Sequence, residues 1–342
     1  MLDFTSALYL GMRHPAAQLA PWSSLTLGQP AALCEPPGAP ALAADLAALQ
    51  GCEAACVLPS TLHLFWDLFG MLAAERLVIL VDGGSYAIAR WGAERAQALG
   101  LPQQVFPSGE MAALRRLVAA WGRQGRRPLI LADGYVPGSE QVLPLAGYAA
   151  LARQGGGYLL LDDTQVLGVM GTQGGGSARL HGLHGESLII GASLAKGFGV
   201  PLAVLAGSGA LLRRFGAHSQ TRVHASPPSA AVLAAARRAL TLNAQHGDAL
   251  RARLADRVAQ WRAGMAAAGI ACRGGSFPVQ RLPGCAHLQP ALHAAGVLAL
   301  AQAGDGPGAL TFLLRADQTP GQLQQAMDLL EHHTRRRYAR SI

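Results

Sequence analysis

Apolar runs alternate with amphipathic stretches through the middle of the chain. An apolar period of 3.6 residues from Ala41 to Gln50 predicts a helix, and the following CEAACVLPS predicts a short strand ending at Ser60. Further strand-like runs, separated by helical patterns such as MAALRRLVAAWGRQ, are RLVILVDGG, RPLILADGY, GGGYLLLDDT and ESLIIGAS. Continuous apolar strands alternating with helices predict a parallel sheet that is covered on both faces.

The polar residues that end these runs mark the expected position of a functional site. Each run closes in Asp, Gly or Ser. Sheets of this kind bind ligands at the carboxyl ends of their strands. We therefore expect the chemistry of the protein at that edge of the sheet.

The pattern changes toward both ends of the chain. Residues 1–45 are irregular and rich in Pro and Ala, which predicts an extended arm. A long Ala/Arg/Leu-rich pattern predicts a helix from about Ser229 to Ala268, and weaker patterns predict a strand at Ala309–Leu314 and a helix from about Pro320 to Arg335. The predicted domains are an N-terminal arm (1–45), a large domain (46–235) and a small C-terminal α/β domain (236–342).

Composition narrows the class of protein. Of the 342 residues, 51% are hydrophobic and 14% charged, which excludes a disordered chain. No apolar run reaches the length of about 18 residues that a membrane span needs, and the start lacks a signal-peptide pattern, so we expect neither membrane insertion nor secretion. Five scattered cysteines predict reduced thiols in the cytoplasm, without a zinc set. The net charge of +8 suits an anionic partner such as a phosphorylated cofactor, and no pattern indicates nucleic-acid binding.

The single lysine of the chain is a candidate catalytic residue. Lys196 is the sole lysine among 28 basic residues, the others being arginine. In an Ala/Gly/Arg-rich chain arginine replaces lysine wherever a permanent charge suffices, so a retained lysine is expected to do what a guanidinium cannot. A lysine amine can lose its proton and form a Schiff base with a carbonyl group. The alternative is a surface lysine that has remained by chance.

The neighbourhood of Lys196 matches the needs of pyridoxal 5′-phosphate. Asp162 ends one strand and Lys196 follows another, and this cofactor requires a lysine for its aldehyde and an acid for its pyridine nitrogen. Ser60-Thr61-Leu62-His63 opens a helix after a strand, where backbone amides bind phosphate. Ser193 adds a hydroxyl group, and Tyr86 offers a ring that can stack on the cofactor.

Each of these residues also has a structural interpretation. Asp162 can serve as a strand-end cap, Tyr86 as a core aromatic, and Ser193 as a polar group whose hydrogen bonds are satisfied near the site. The adjacent Asp163 is expected to be structural. The spacing of 34 residues between Asp162 and Lys196 favours the cofactor roles.

The order and spacing of these motifs resemble the fold-type-I pyridoxal-phosphate enzymes, and among them the α-oxoamine synthase family. PSTLHLF is similar to the family's cofactor-phosphate turn, DDTQVLGVMG to its D-[DE]-A-H-x-x-G-V-x-G motif, and SLAKGFGVP to its T-x-x-K-[GA]-F-G motif. The resemblance implies an α/β, aspartate-aminotransferase-like fold: a three-layer αβα large domain with a mostly parallel sheet, and a small C-terminal α/β domain. It also implies a homodimer with the active site at the interface.

The resemblance assigns roles to individual residues. Lys196 is implied to hold pyridoxal phosphate as the internal aldimine, and Asp162 to pair with the pyridine nitrogen. Ser193 is implied to bind the phosphate, to which Thr61 and Leu62 donate backbone amides.

Three positions depart from the family pattern. Tyr86 stands where the family has a histidine stacked over the ring, which keeps the stacking but loses a titratable group. Gln165 stands where the family has a histidine near the phenolic oxygen of the cofactor, and it can hydrogen-bond without carrying charge. Thr311 aligns with an arginine that binds the substrate carboxylate in the family, which removes this bidentate clamp unless Arg315 or another arginine takes its place.

The implied reaction is a decarboxylative condensation of an amino acid with an acyl thioester. Lys196 would serve as general base and acid, and the quinonoid formed on the cofactor would attack the thioester. The expected partners are a small amino acid or amine and an acyl donor, either acyl-CoA or an acyl carrier protein. Two alternatives stay open: another pyridoxal-phosphate reaction (transamination, decarboxylation, racemisation or carbon–carbon cleavage), or a catalytically degenerate scaffold.

Overall fold

A computed structural model describes residues 1–139, 142–302 and 308–338. Its strands are β1 (Leu2–Asp3), β2 (Ala54–Leu58), β3 (Leu77–Asp82), β4 (Gln103–Phe106), β5 (Arg127–Asp133), β6 (Tyr158–Asp162), β7 (Leu188–Ser193), β8 (Ala203–Gly207), β9 (Val279–Pro283), β10 (Val297–Leu298), β11 (Leu300–Gln302) and β12 (Ala309–Leu313). Its helices are α1 (Ala39–Gln50), α2 (Thr61–Leu72), α3 (Ala87–Ala98), α4 (Met111–Gly122), α5 (Leu145–Gln154), α6 (Gly176–His181), α7 (Gly209–His218), α8 (Thr221–His224), α9 (Ala230–Ala267), α10 (Gln289–Ala294) and α11 (Pro320–Tyr338).

The chain divides into two compact units. The larger unit contains Arg13–Val136 and Val142–Gln245. The smaller unit contains the described residues of Met1–Met12, Pro137–Gln141 and His246–Ile342. The division into arm, large domain and small domain at residues 45 and 235 stays a prediction.

A seven-stranded sheet forms the centre of the larger unit, in the order β2-β8-β7-β6-β5-β3-β4. The strands from β7 to β4 run parallel to one another, and β8 is antiparallel to both of its neighbours, β7 and β2. All six residues of β3 are buried, as expected for a sheet covered on both sides. The sheet is therefore mostly parallel, as the sequence predicts.

Alternate residues of β3 enter two different cores. Leu77 and Ile79 pack in a cluster that includes residues of α2, α3 and α7. Val78 and Leu80 pack in a second cluster, with residues of α4, α5 and α6. Because successive side chains of a strand point to opposite faces, these helices form layers on both sides of the sheet. The larger unit is thus a three-layer αβα sandwich.

The smaller unit is built around an antiparallel sheet in the order β11-β12-β9 and the parallel pair β1-β10. Its core packs Trp261 of α9 against Phe312 of β12, with ring centroids 4.6 Å apart, and both rings meet Phe4. α11 contributes Leu323 and Met327, which lie on one helical face. The predicted small α/β lobe is present in the smaller unit. The strand expected at Ala309–Leu314 is β12, and the helix expected from about Pro320 is α11.

Candidate active site

The carboxyl ends of the central strands meet at one edge of the sheet. Leu58 of β2 lies opposite Ala203 of β8, which lies opposite Ser193 of β7. On the other side of β7, Asp162 of β6 lies opposite Asp133 of β5. The start of α2, the end of β7 and these two carboxyl groups therefore lie along the same edge of the larger unit.

Lys196 lies in the turn that follows β7 and is half-buried. Burial lowers the pKa of its ammonium group below the ordinary lysine value, although the carboxylates of Asp162 and Asp133 oppose this change. Its Nζ lies 5.9 Å from the centroid of the Tyr86 ring. The side chain thus combines a reactive amine with nearby acids and an aromatic surface, the setting that Schiff-base chemistry requires.

Asp162 is 5% exposed at the end of β6. Burial raises the pKa of its carboxyl group, while hydrogen bonds from Thr164 and the positive charge of Lys196 act in the opposite direction. The Thr164 amide donates to Asp162 Oδ1 over 3.0 Å, and Thr164 Oγ1 accepts from the Ser193 amide over 3.0 Å. Thr164 therefore ties the ends of β6 and β7 together, next to both predicted cofactor residues.

The start of α2 supplies anion-binding groups. Ser60 caps the helix, because its Oγ accepts from the His63 amide. The amides of Thr61 and Leu62 lie in the first turn, where a helix offers them no acceptor. Ser193 is half-buried, and its Oγ accepts from the Ala195 amide over 3.2 Å. These donors and this hydroxyl group suit a phosphate.

Tyr86 and Gln165 complete the set of predicted residues. Tyr86 precedes α3, and its side chain is 60% exposed, so it is not a core aromatic. Gln165 is half-buried in the turn after Thr164. The larger unit therefore contains all seven residues predicted for the cofactor and catalysis, and their roles stay predictions.

Sequence reasoning missed two acids at this edge. Asp133 ends β5, and its Oδ1 accepts from the Tyr86 amide over 3.0 Å. Asp82 ends β3, where Tyr148 Oη donates to its Oδ2 over 2.7 Å. The signal was present, because both residues close apolar runs as Asp162 does, but only the strand register shows which acids are neighbours.

Thr311 and Arg315 lie in the smaller unit. Thr311 is buried on β12, and its hydroxyl group contacts Gln302 Oε1 at 3.2 Å. The Arg315 guanidinium donates to Asp317 Oδ1 over 2.9 Å and to the Asp3 carbonyl oxygen over 2.8 Å. The Thr311 side chain therefore cannot form the bidentate contact that an arginine makes with a carboxylate. The Arg315 guanidinium is hydrogen-bonded to other residues of the smaller unit.

The residues present fit pyridoxal phosphate. A half-buried amine, a buried carboxyl group and the first turn of a helix lie along one edge of the sheet. The turn of Lys196 is closely packed, because a Cβ on Gly197 would lie 2.2 Å from the Leu167 carbonyl oxygen. The backbone of the lysine is thereby fixed at the sheet edge that carries Asp162 and the helix start. Across the described ranges, no group of three or more His, Cys, Asp or Glu side chains is placed to hold a metal ion. Nor does any helix in the described part of the chain have the length and apolar character to cross a membrane.

Comparisons with solved structures show the fold. Serine palmitoyltransferase from Sphingomonas wittichii aligns with a TM-score of 0.85 and 18% identity, over 97% of this chain and 87% of that chain. The S. paucimobilis enzyme with a bound pyridoxal phosphate–myriocin aldimine aligns with a TM-score of 0.85 and 17% identity over the same shares. 8-Amino-7-oxononanoate synthase from Francisella tularensis aligns with a TM-score of 0.78 and 18% identity over 99% of each chain.

Sequence comparison gives a more local match. 8-Amino-7-oxononanoate synthase from Thioalkalivibrio sulfidiphilus (strain HL-EbGR7) is 34% identical over 122 residues, which are 35% of this chain. This chain therefore covers 31% of the length of that relative. The family model of aminotransferase class I and II matches residues 133–328, more than half of the chain.

The fold and the site define an α/β protein of fold type I, the fold that the sequence motifs imply. The chain belongs to the aminotransferase class I and II family. The predicted fold class and family are both confirmed, and the similar proteins named above include two kinds of α-oxoamine synthase.

Proposed function

We propose that the protein is a pyridoxal-phosphate-dependent acyltransferase that condenses an amino acid with an acyl thioester and releases carbon dioxide and the free thiol. The observation that carries the proposal is the placement of Lys196 between the buried Asp162 and the start of α2, along one sheet edge. The names of the similar proteins support the reaction class. Their substrates and cofactor are carried over to this chain as part of the proposal.

Each residue has a defined task in this proposal. When bound, pyridoxal phosphate supplies an electron sink that stabilises negative charge at the α-carbon of the substrate. Lys196 Nζ would hold the cofactor and, once released by the substrate amine, would take the proton from that α-carbon, helped by its lowered pKa. Asp162 would hold the proton of the pyridine nitrogen. The start of α2, with the amides of Thr61 and Leu62, would bind the phosphate together with Ser193 Oγ.

The departures at two positions affect proton transfer. The family's two histidines are replaced by Tyr86, which is given no proton to transfer in this proposal, and by Gln165, whose amide carries no ionisable proton. Lys196 is therefore the proposed general base and general acid. Tyr86 would contribute its ring surface, and Gln165 a hydrogen bond.

A requirement for a thioester separates this function from other reactions of the family. We would load the purified protein with pyridoxal phosphate and measure release of labelled carbon dioxide from carboxyl-labelled small amino acids, with and without acyl-CoA or an acylated carrier protein. The proposal expects release only when a thioester is present. Release without a thioester would identify a decarboxylase, and amino transfer to a 2-oxo acid would identify an aminotransferase. Bound cofactor without turnover on any of these substrates would favour the scaffold alternative.

We also propose that the protein acts as a homodimer. α2 exposes Leu62 and Trp66 by 48% and 46%, on one helical face, and α3 exposes Trp91 by 52%. A second copy would cover these apolar side chains, as expected for a subunit interface. Sedimentation should show a dimer, and Trp91→Glu should shift it toward monomer. A wild-type protein that sediments as a monomer at micromolar concentration would contradict the proposal.

A further inference from the structure

A further buried carboxyl group lies beside Asp162 at the edge that carries Lys196. Asp133 is 4% exposed and lies directly opposite Asp162, which is 5% exposed. Neighbouring strands are about 4.8 Å apart, so the two carboxyl groups are close to each other in a region with little water. Their charges must therefore interact strongly.

Asp133 is also connected to the aromatic ring of the site. Its Oδ1 accepts from the Tyr86 amide, and Tyr86 has extended backbone angles (φ −72°, ψ 153°) just before α3 begins. Tyr86 is 60% exposed, and the centroid of its ring lies 5.9 Å from Lys196 Nζ. The hydrogen bond to Asp133 holds the backbone from which this ring projects.

The charges around Asp133 come from three elements. Asp162 on β6 and Asp82 on β3 bring negative charge, and Lys196 after β7 brings positive charge. Burial, Asp162 and Asp82 raise the pKa of Asp133 well above its usual range, whereas the Tyr86 amide and Lys196 act in the opposite direction. Two adjacent buried carboxyl groups do not readily ionise together.

We propose that Asp133 is a positioning residue for Lys196: it holds the Tyr86 ring over the lysine through the Tyr86 amide, and it shares one proton with Asp162. The proposal deepens the function given above, because it rests on Lys196 and Asp162 as the cofactor residues. It adds a second carboxyl group beside the one proposed for the pyridine nitrogen.

Positioning through Tyr86 is tested by a double-mutant cycle on the affinity for pyridoxal phosphate. Asp133→Ala removes the acceptor and should weaken binding about fivefold, whereas Asp133→Asn keeps an acceptor oxygen and should stay within about twofold of wild type. In a Tyr86→Ala background, Asp133→Ala should have no further effect. The positioning role would be overturned if Asp133→Ala weakened the affinity for pyridoxal phosphate equally with and without the Tyr86 ring. It would also be overturned if Asp133→Ala and Asp133→Asn weakened that affinity equally.

Proton sharing is tested without any cofactor. Because Lys196 is the sole lysine, its acylation by a small reagent can be followed against pH from the mass of one peptide. If Asp133 and Asp162 share a proton, either single Asn variant leaves one negative charge, and the Lys196 pKa should change by less than about 0.3 units. The double Asn variant should lower it by about one unit or more.

The opposite result is equally specific. If each single Asn variant lowers the Lys196 pKa by a similar amount, and the two decreases add up in the double variant, both carboxyl groups are ionised in the wild type. That result would overturn proton sharing. The acylation profile needs neither cofactor nor substrate. It therefore decides proton sharing even if pyridoxal phosphate fails to bind, a result that would refute the proposed function instead.

Discussion

Gly197 gives a direct test of how the turn of the lysine is held. A Cβ at this position would lie 2.2 Å from the Leu167 carbonyl oxygen and 3.1 Å from the Gly168 Cα, and real Cβ contacts below 3.0 Å are essentially never seen. Both neighbours are backbone atoms, so neither can rotate away. Gly197→Ala must therefore separate the two segments by about 1 Å, and overpacking of this kind costs about 1–3 kcal/mol of unfolding free energy.

The same displacement should impair the site. A shift of about 1 Å in a reacting group can reduce a rate by about 100-fold. We expect Gly197→Ala to lower the urea midpoint and to weaken pyridoxal-phosphate binding together. Gly321→Ala is the matched control, because a Cβ there meets nothing within 4 Å. A Gly197→Ala protein with wild-type stability and wild-type affinity for the cofactor would refute the close packing of this turn.

Three further predictions concern residues around the site. Burial raises the pKa of the Asp163 carboxyl group to about 6. The folded state therefore binds the carboxyl proton more tightly than the unfolded chain does. As pH rises from about 4 to above 6, the unfolding free energy should fall by about 3 kcal/mol. Asp163→Asn should abolish that fall in urea titrations, and parallel pH curves for the two proteins would contradict this. Ser60→Ala removes the cap of α2 and should cost about 1 kcal/mol of unfolding free energy, which Ser60→Asp should largely restore. Thr164→Val leaves the Ser193 amide without its acceptor and should cost about 1–3 kcal/mol, whereas Thr164→Ser should not.

Local sequence patterns predicted the elements that carry a strong periodicity. The helix expected from about Ser229 to Ala268 is α9, Ala230–Ala267, and the four apolar runs named at the outset are the parallel strands β3, β5, β6 and β7. The antiparallel strand β8 was missed, because its sequence AVLAG is short and made of small apolar residues. Its direction depends on pairing with β2, far away in the chain, which no local pattern encodes.

The residues of the candidate site were only partly identified from the sequence. Lys196 stands out as the one lysine of the chain, and the spacing of the matched motifs selects Asp162, although Asp82 and Asp133 also close apolar runs. Asp133 was missed because its proposed role depends on its position opposite Asp162 and on the hydrogen bond from the Tyr86 amide. Both contacts depend on strand register and on the start of a helix, which appear only in the folded chain.

The proposed function depends on a covalent bond between Lys196 and pyridoxal phosphate. Borohydride reduction of the protein with the cofactor, followed by proteolysis and mass spectrometry, tests it most directly, with Lys196→Arg as the control. We expect the reduced adduct on the peptide that contains Lys196, and no adduct on the corresponding peptide of the variant. An unmodified Lys196 peptide from wild-type protein saturated with pyridoxal phosphate would contradict it.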